Sequence, residues 1–275
     1  MKAPGDPFIR GVTLVRERVA DWSVYPFSIP AVRALEQQPQ LALHPKVTFL
    51  VGENGSGKST LIEAIAVLAG FNPEGGTRNF AFSTRSSESE LHRCLRLVRG
   101  VRRERTGYFL RAESFFNVAT EIERLDRDGG GPPVVHSYGG RYLHNQSHGE
   151  SFLALIQHRF GPDGLYVLDE PEAALSPSRQ LILLSRMHEL VTHQRSQFII
   201  ATHSPIVMAY PDATIYMLSP QGIEAVRYED TEHYGLTRDF LLHRDRFFTA
   251  IFDVQAREGE ERVEARSARR NRQRR

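Results

Sequence analysis

The strongest constraint on the fold is a glycine-rich motif at positions 52–59, Gly-Glu-Asn-Gly-Ser-Gly-Lys-Ser. It follows the apolar run Val47-Thr-Phe-Leu-Val51 and precedes residues 59–69, whose apolar side chains recur at helical spacing. A buried strand, a tight loop and a helix in this order let the loop amides turn inward and direct the positive end of the helix at the loop. The pattern predicts a phosphate-binding loop in an α/β fold.

Each residue type in this loop has an expected role. Lys58 supplies a cation beside the β- and γ-phosphates of a nucleotide, and Ser59 supplies a hydroxyl for Mg²⁺. The other predicted nucleotide-binding residues are Gly52, Asn54, Gly55, Ser56, Gly57 and Thr60.

Two further apolar runs end in polar residues that suit the same site. Leu165-Tyr-Val-Leu168 is followed by Asp169 and Glu170, and Gln197-Phe-Ile-Ile-Ala201 leads to His203. Ligands bind at the carboxyl ends of strands in open α/β sheets. We therefore expect Asp169 to hold Mg²⁺ opposite Ser59 and Glu170 to orient or deprotonate an attacking water.

In this order the motifs resemble those of the ABC-type ATPase family, in its soluble RecF-, SMC- and OLD-like branch. Residues 169–176, Asp-Glu-Pro-Glu-Ala-Ala-Leu-Ser, resemble a Walker B motif followed by a D-loop, with Ser176 where the family more often has Asp. His203 resembles the switch histidine that contacts the γ-phosphate. Glu113 resembles the Q-loop residue, with an acid in place of the usual Gln, and the resemblance makes it an expected Mg²⁺ ligand.

Residues Ser147, Gly149 and Glu150 resemble the ABC signature. The resemblance implies that they contact the γ-phosphate of ATP held by a second subunit. It further implies Mg-dependent ATP hydrolysis in a homodimer that closes head to tail around two ATP molecules. The expected fold is a P-loop NTPase head: a mainly parallel sheet flanked by helices, with an antiparallel N-terminal β region.

The spacing of the motifs sets the expected domain organisation. We predict one domain over residues 1–256, with an insert at about 71–146 between the phosphate loop and the signature. Only 86 residues separate Thr60 from Ser147, too few for a long coiled-coil arm. Within the insert, residues 71–90 and 126–133 are predicted to be irregular because they are rich in residues that favour turns.

The distribution of charge and the cysteine content predict a basic tail and a cellular compartment for the protein. The chain has 35 basic and 33 acidic side chains, of which seven basic and one acidic lie in residues 262–275. The rest of the chain therefore has 28 basic and 32 acidic side chains. Residues 257–275 are therefore expected to form a basic disordered tail, a candidate site for nucleic acid or a protein partner. A single cysteine and no apolar run near ~18 residues predict a cytoplasmic protein without an integral membrane segment.

Several functions remain open on these observations. Within the resemblance, DNA maintenance or defence is the expected task, and the ATPase subunit of a membrane transporter is the alternative. A nucleotide-gated binding module with little turnover and a small-molecule kinase are further alternatives. Packing in the core is the expected role of Tyr25 and Phe27, which lie ahead of the phosphate loop, and stacking on adenine is the alternative for one of them.

Overall fold

Nine strands form two sheets within residues 6–78, 89–129 and 132–252, the parts of the chain that this computed structural model describes. The strands are β1 Ile9–Leu14, β2 Leu41–Ala42, β3 Val47–Gly52, β4 Leu95–Arg99, β5 Thr106–Arg111, β6 Gly164–Asp169, β7 Gln197–Ala201, β8 Thr214–Ser219 and β9 Gly222–Val226. The helices are α1 Pro30–Gln37, α2 Lys58–Leu68, α3 Leu91–Cys94, α4 Phe115–Asp128, α5 His148–Arg159, α6 Pro177–Thr192 and α7 Glu232–Leu242. The chain divides into two compact units, residues 1–228 and 229–275. The predicted basic tail, residues 257–275, lies outside the described residues.

The larger sheet has six strands in the order β5-β6-β7-β3-β8-β9. All neighbouring pairs are parallel except the β8–β9 hairpin. Every residue of β3, β6 and β7 is buried, as expected when both faces of a parallel sheet are covered. The predicted mainly parallel α/β sheet is confirmed.

Successive side chains of these strands alternate between two cores. Phe49 and Tyr166 lie in the core that α4, α5 and α6 cover. Leu50 and Val167 lie in the other core, which α1, α2 and the smaller sheet cover. The carboxyl ends of β3, β6 and β7 therefore lie together at one end of the sheet, between the two layers that cover its faces.

The smaller sheet has the order β2-β1-β4 and is antiparallel throughout, which confirms the predicted N-terminal β region. In the part of the chain that the structure describes, two side chains of the larger sheet bond to it: the Tyr216 hydroxyl of β8 donates to the Ala42 carbonyl of β2 (2.8 Å), and Gln197 of β7 bonds to β1. The amide of Gln197 accepts a hydrogen bond from the Ile9 backbone N–H (3.0 Å) and donates one to the Ile9 carbonyl (2.8 Å). It also donates to the carbonyl of His44 (3.0 Å).

The insert differs from its prediction at α4. Helix α4 occupies residues that were given no element, and its last turn overlaps the predicted irregular segment 126–133. Residues 71–78 of the predicted irregular segment 71–90 form no helix or strand, although Phe71 and Glu74 are buried and Gly76 pairs with Phe109 of β5 in an isolated bridge; residues 79–88 lie outside the described residues. Tertiary packing of apolar residues overrides the turn-like composition only where α4 enters segment 126–133.

The second unit is helical over its described residues. Helix α7 is followed by helical residues 244–252. The ring of Phe240 meets those of Phe247 and Phe248 edge to face, with centroids 5.6 and 5.9 Å apart. Across the described part of the chain, no helix combines the length and apolar character needed to cross a bilayer.

Candidate functional site

The phosphate loop joins the end of β3 to the start of α2. Gly52 has φ +146°, and a Cβ there would lie 2.2 Å from the carbonyl oxygen of Leu218. Gly57 has φ +98°, and a Cβ there would lie 2.7 Å from a methyl group of Ile29. Only glycine fits at these two positions, because both the backbone conformation and the space exclude a side chain. The loop is thus held in one shape by the strand and helix beside it.

Lys58 begins α2 and lies almost entirely out of solvent, with 4% of its surface exposed. Its ammonium donates to the carbonyl oxygens of Gly52 (2.9 Å) and Glu53 (2.8 Å). Burial lowers the pKa of Lys58, and the acids Glu170 and Asp169 oppose that shift. The cation therefore lies inside the curve of the loop.

The loop has the donors that a phosphate needs. The first amides of α2 have no acceptor within the helix, and the helix dipole directs positive charge at the same place. Among the described residues, the buried Ser56 Oγ has no hydrogen-bond partner. Buried hydroxyls are rarely left unpaired, so this one is available to an anion held in the loop. The residues fit a bound nucleotide.

Ser59 and Asp169 come together from α2 and β6. The Ser59 hydroxyl donates to Asp169 Oδ1 at 3.1 Å. Asp169 is 5% exposed, and burial raises its pKa to about 7, although the Arg111 guanidinium and the Ser59 hydroxyl lower it. A hydroxyl and a carboxylate at this distance are ligands that Mg²⁺ accepts.

Arg111 is a neighbour of this pair that sequence reasoning missed. It ends β5, where it lies opposite Asp169 in the parallel register. Its Nε is 4.0 Å from Asp169 Oδ2, and its Nη1 pairs with the buried Glu63 of α2. An arginine at a strand end adjacent to the acidic strand was the available signal.

Glu113 lies two residues after Arg111, in the 3₁₀ turn Ala112–Ser114. Its carboxylate is 85% exposed and lies 3.7 Å from Nη2 of Arg111. Arg111 thus lies close both to Glu113 and to Asp169. The Mg²⁺ role of Glu113 stays a prediction.

Glu170 and His203 face each other across the carboxyl ends of β6 and β7. His203 Nε2 is 3.5 Å from Glu170 Oε1. Glu170 has the left-handed backbone φ +52°, which costs a non-glycine residue about 1–3 kcal/mol and is concentrated at functional sites. Burial and the charge of Lys58 lower the pKa of His203, while Glu170 opposes them. A neutral imidazole next to an exposed carboxylate can accept or relay a proton.

Glu172, two residues after Glu170, holds the backbone that carries His203. Its Oε1 accepts hydrogen bonds from the backbone N–H groups of His203 (2.6 Å) and Ser204 (3.2 Å). Burial raises the pKa of Glu172, and the bond from His203 opposes that shift. Sequence reasoning included this residue only within the Walker B resemblance and gave it no role of its own.

The signature residues form the first turn of α5. Glu150 Oε2 accepts hydrogen bonds from the Ser147 backbone N–H (3.0 Å) and hydroxyl (2.7 Å), which lower the pKa of Glu150. Ser147 and Glu150 are exposed, whereas Gly149 is buried beneath Arg179, whose Nη1 would lie 2.0 Å from a Cβ there. Over the described residues, no hydrogen bond or ion pair joins Ser147 or Glu150 to residues 52–60.

The two aromatic residues ahead of the loop separate into different environments. Phe27 is 6% exposed and lies in the core, with its ring edge to face with that of Trp22. Tyr25 is 64% exposed, and its hydroxyl lies 3.2 Å from Thr60 Oγ1 of the phosphate loop. Tyr25 is therefore the aromatic ring that remains accessible beside the loop.

The model of a known protein family matches two segments of the chain that contain most of these motifs. The chain matches the model of a family described as "AAA domain, putative AbiEii toxin, Type IV TA system" over residues 47–103 and 136–209. These segments contain the phosphate loop, the signature, the acidic pair and His203. No curated protein matches the sequence significantly.

Solved structures with a similar fold include ATP-binding subunits and a head domain. cbiO1 from Clostridium perfringens, part of the ABC transporter complex cbiONQ, is 17% identical, with 77% of this chain and 90% of that chain covered and a TM-score of 0.41. An ATP-binding subunit of an ABC transporter is 19% identical, with coverage of 78% and 91% and a TM-score of 0.40. The SMC head domain from Thermotoga maritima is 20% identical, with coverage of 68% and 92% and a TM-score of 0.34.

Proposed function

We propose that this chain, an ABC/AAA-like P-loop ATPase by its family match and its strand-loop-helix arrangement, binds Mg-ATP and hydrolyses it to ADP and phosphate. The observation that carries the proposal is the hydrogen bond from Ser59 to Asp169, with Glu170 and His203 at the same sheet edge. That contact brings together the loop that would hold the phosphates and the strand end that would hold the metal.

Binding of ATP is assigned to the loop and to the aromatic residue beside it. The glycine-rich turn supplies backbone donors, and Lys58 supplies a buried cation that exchanges its loop carbonyls for phosphate oxygens. Tyr25 offers an exposed ring next to Thr60, and stacking on adenine is its proposed role. The loop alone would bind any nucleoside triphosphate, so the ring adds affinity for the base.

Ser59 and Asp169 are the proposed Mg²⁺ ligands, with the exposed Glu113 as a third candidate. Bound Mg²⁺ would neutralise the charge that develops on the phosphate oxygens. Arg111 lies 4.0 Å from the other oxygen of Asp169 and pairs with Glu63, which keeps the Asp169 carboxylate in place.

Glu170 is the proposed general base, and His203 is its proposed partner. The left-handed backbone of Glu170 directs its 40% exposed carboxylate out of the strand end, where a water can reach it. His203 lies 3.5 Å away and would position that water or the γ-phosphate. The left-handed conformation of Glu170 supports this assignment, because strain of that kind is retained where geometry matters.

ATP-dependent dimerisation is the proposed source of the remaining contacts. Ser147 and Glu150 are exposed at the start of the twelve-residue helix α5, a place where an anion is stabilised. In a head-to-tail pair they would contact ATP held by the other subunit. Opening of the pair after hydrolysis would then drive a partner in the cytoplasm, with nucleic-acid maintenance or defence as the proposed setting.

The proposal is tested by Glu170→Gln, which preserves size but removes the basic carboxylate. ATP binding should persist while turnover falls at least ~100-fold, the scale of lost general-base catalysis. Glu224→Gln, at an exposed position on β9, is the matched control and should leave turnover unchanged. Binding is measured by calorimetry and turnover by phosphate release.

Three outcomes would change the assignment. Unchanged turnover in Glu170→Gln would remove Glu170 as the base. Tight ATP binding by the unmodified protein with no phosphate release would favour a nucleotide-gated binding module. Absence of ATP binding would overturn the proposed function.

A further inference from the structure

The segment that follows β6 is hydrogen-bonded to the loop that follows β7. Glu172 lies in the 3₁₀ turn Pro171–Ala174, directly after Glu170. Its Oε1 accepts from two consecutive backbone N–H groups, those of His203 at 2.6 Å and Ser204 at 3.2 Å. A carboxylate that accepts two amide hydrogens fixes the orientation of the peptide between them, since such charge-assisted bonds are short and strong.

A second contact secures the same loop one residue further on. The hydroxyl of Ser204 donates to Oε1 of the buried Gln180 at 2.6 Å, and Gln180 Nε2 donates to the Leu175 carbonyl at 3.2 Å. Ser204 Oγ also accepts from the backbone N–H groups of Ile206 (3.1 Å) and Val207 (3.2 Å). The Ser204 N–H also donates to Thr202 Oγ1 at 3.0 Å. The backbone from Ser204 to Val207 therefore has bonds that do not involve Glu172, whereas the His203 N–H donates to Glu172.

Glu172 places an ionisable carboxyl group where a purely structural contact would need only a neutral acceptor. It is mostly buried, and burial raises its pKa. A buried carboxyl group is destabilising unless hydrogen bonds compensate it. The compensating bonds from the loop that carries His203 come from the N–H groups of His203 and Ser204 and from the side chain of Thr202, so this loop offsets much of the energetic cost of burying Glu172.

We propose that Glu172 is a positioning residue that holds the His203 backbone so that the imidazole faces Glu170. This inference rests on the proposed ATPase function. Without the bond from the His203 N–H to Glu172, the His203 backbone loses its anchor between Thr202 and Ser204, and the imidazole can turn away from Glu170, from which it now stands 3.5 Å. Within the ranges that the structure describes, no hydrogen bond joins Glu172 to the phosphate loop or to Asp169, and its charge acts on Lys58 less than those of Glu170 and Asp169, so ATP affinity should depend on it little.

The test compares Glu172→Ala with Glu172→Gln. Glu172→Ala removes both bonds, and kcat should fall ~10-fold or more while KM for ATP stays within ~3-fold, the pattern of an interaction that matters only in the transition state. Glu172→Gln keeps an acceptor oxygen at the same place, and kcat should stay within ~3-fold of the unmodified enzyme. Glu104→Ala, which removes a buried carboxylate before β5 at the opposite edge of the sheet, is the control and should leave kcat unchanged.

The decisive measurement is a double-mutant cycle with His203. If Glu172 acts only by positioning His203, Glu172→Ala should lower kcat less than ~2-fold further in a His203→Ala background. A merely structural role would lower kcat by the same factor in both backgrounds. Glu172→Leu, which fills the same space without an acceptor, replaces Glu172→Ala if the alanine variant does not fold.

Outcomes that overturn the inference are distinct from failure of the proposed function. An unmodified protein that does not hydrolyse ATP refutes the function itself. An active protein whose kcat is insensitive to Glu172→Ala, or equally reduced by Glu172→Gln and Glu172→Ala, refutes the positioning role. Unchanged kcat in His203→Ala also refutes it, because Glu172 would then have nothing to position.

Discussion

The phosphate-loop edge and the signature turn are built in opposite ways. At the first, side chains from α2, β5, β6 and the loop after β7 contact one another, as Ser59 does with Asp169 and His203 with Glu170. At the second, Ser147 bonds to Glu150, three residues away in the same turn. The first region is complete within one chain, whereas the second is a local cap with exposed hydrogen-bonding groups.

The pKa shifts of the ionisable groups also differ between the phosphate-loop edge and the signature turn. Burial raises the pKa of Asp169 to about 7 and lowers that of Lys58, so the phosphate-loop edge holds charges that a ligand would stabilise. Glu150 has a lowered pKa because the Ser147 hydroxyl and backbone N–H already bond to its carboxylate. Under the proposed function, the phosphate-loop edge would bind nucleotide on its own, and the signature turn would act only when the nucleotide of a second subunit reaches it.

The largest expected effect comes from Lys58→Ala. It removes the buried cation of the phosphate loop, and ATP affinity should fall by a factor of at least ~100, since the charge-assisted bonds to phosphate are lost together with their desolvated position. Lys46→Ala is the matched control, because Lys46 pairs with the exposed Asp212 instead. Calorimetry on the folded variants measures the ATP affinity of each. Normal ATP affinity in Lys58→Ala would mean that the phosphate-loop edge does not bind ATP through Lys58.

A second effect should separate binding from turnover. Ser147→Arg places bulk at the exposed signature turn, so ATP should still bind with affinity within ~3-fold of normal, while ATP-induced dimerisation and hydrolysis are lost. Ser185→Arg, at an exposed position on α6, is the control. Light scattering with and without ATP measures the dimer.

Mixing variants sharpens this test. A heterodimer of Ser147→Arg and Lys58→Ala chains has one composite site with an intact loop and an intact signature, so part of the ATPase activity should return. Hydrolysis by Ser147→Arg alone at the normal rate would mean that the signature turn takes no part in the reaction.

The smallest effect is expected at Tyr25. Tyr25→Ala should weaken ATP binding ~10-fold, because stacking of a base on an aromatic ring contributes about 1–3 kcal/mol. Tyr25→Phe keeps the ring and loses only the contact with Thr60, so its affinity should stay close to normal. Inorganic triphosphate, which has no base, should bind equally to all three proteins, and a loss there would assign Tyr25 to the loop instead of the base.

The sequence was informative where a function depends on consecutive residues. The apolar run before Gly52 and the glycine spacing predicted β3, the loop and α2, because each feature is local. The strand before Asp169 and the strand before His203 were predicted for the same reason. Their meeting at one edge followed from a general property of parallel sheets.

Contacts across the fold that depend on strand register or on loop conformation were not predicted. Arg111 becomes a neighbour of Asp169 only through the register of β5 against β6, and Glu172 reaches His203 through two separate loops. Helix α4 was missed although Phe115, Val118 and Ile122 recur at helical spacing and are buried. The glycine and proline residues that follow it indicate a loop and obscure that pattern.

Gln197 gives the fold a mechanical property that the strand order alone does not reveal. Its side-chain amide exchanges a donor and an acceptor with Ile9, as a neighbouring strand residue would, and so ties the smaller sheet to the first residue of β7. A shear force on the smaller sheet would therefore reach β7 through these two hydrogen bonds, of 3.0 and 2.8 Å, and β8 through the bond from Tyr216 to Ala42. Because β7 runs directly into His203, a strand that bears this load is also the one that carries the imidazole.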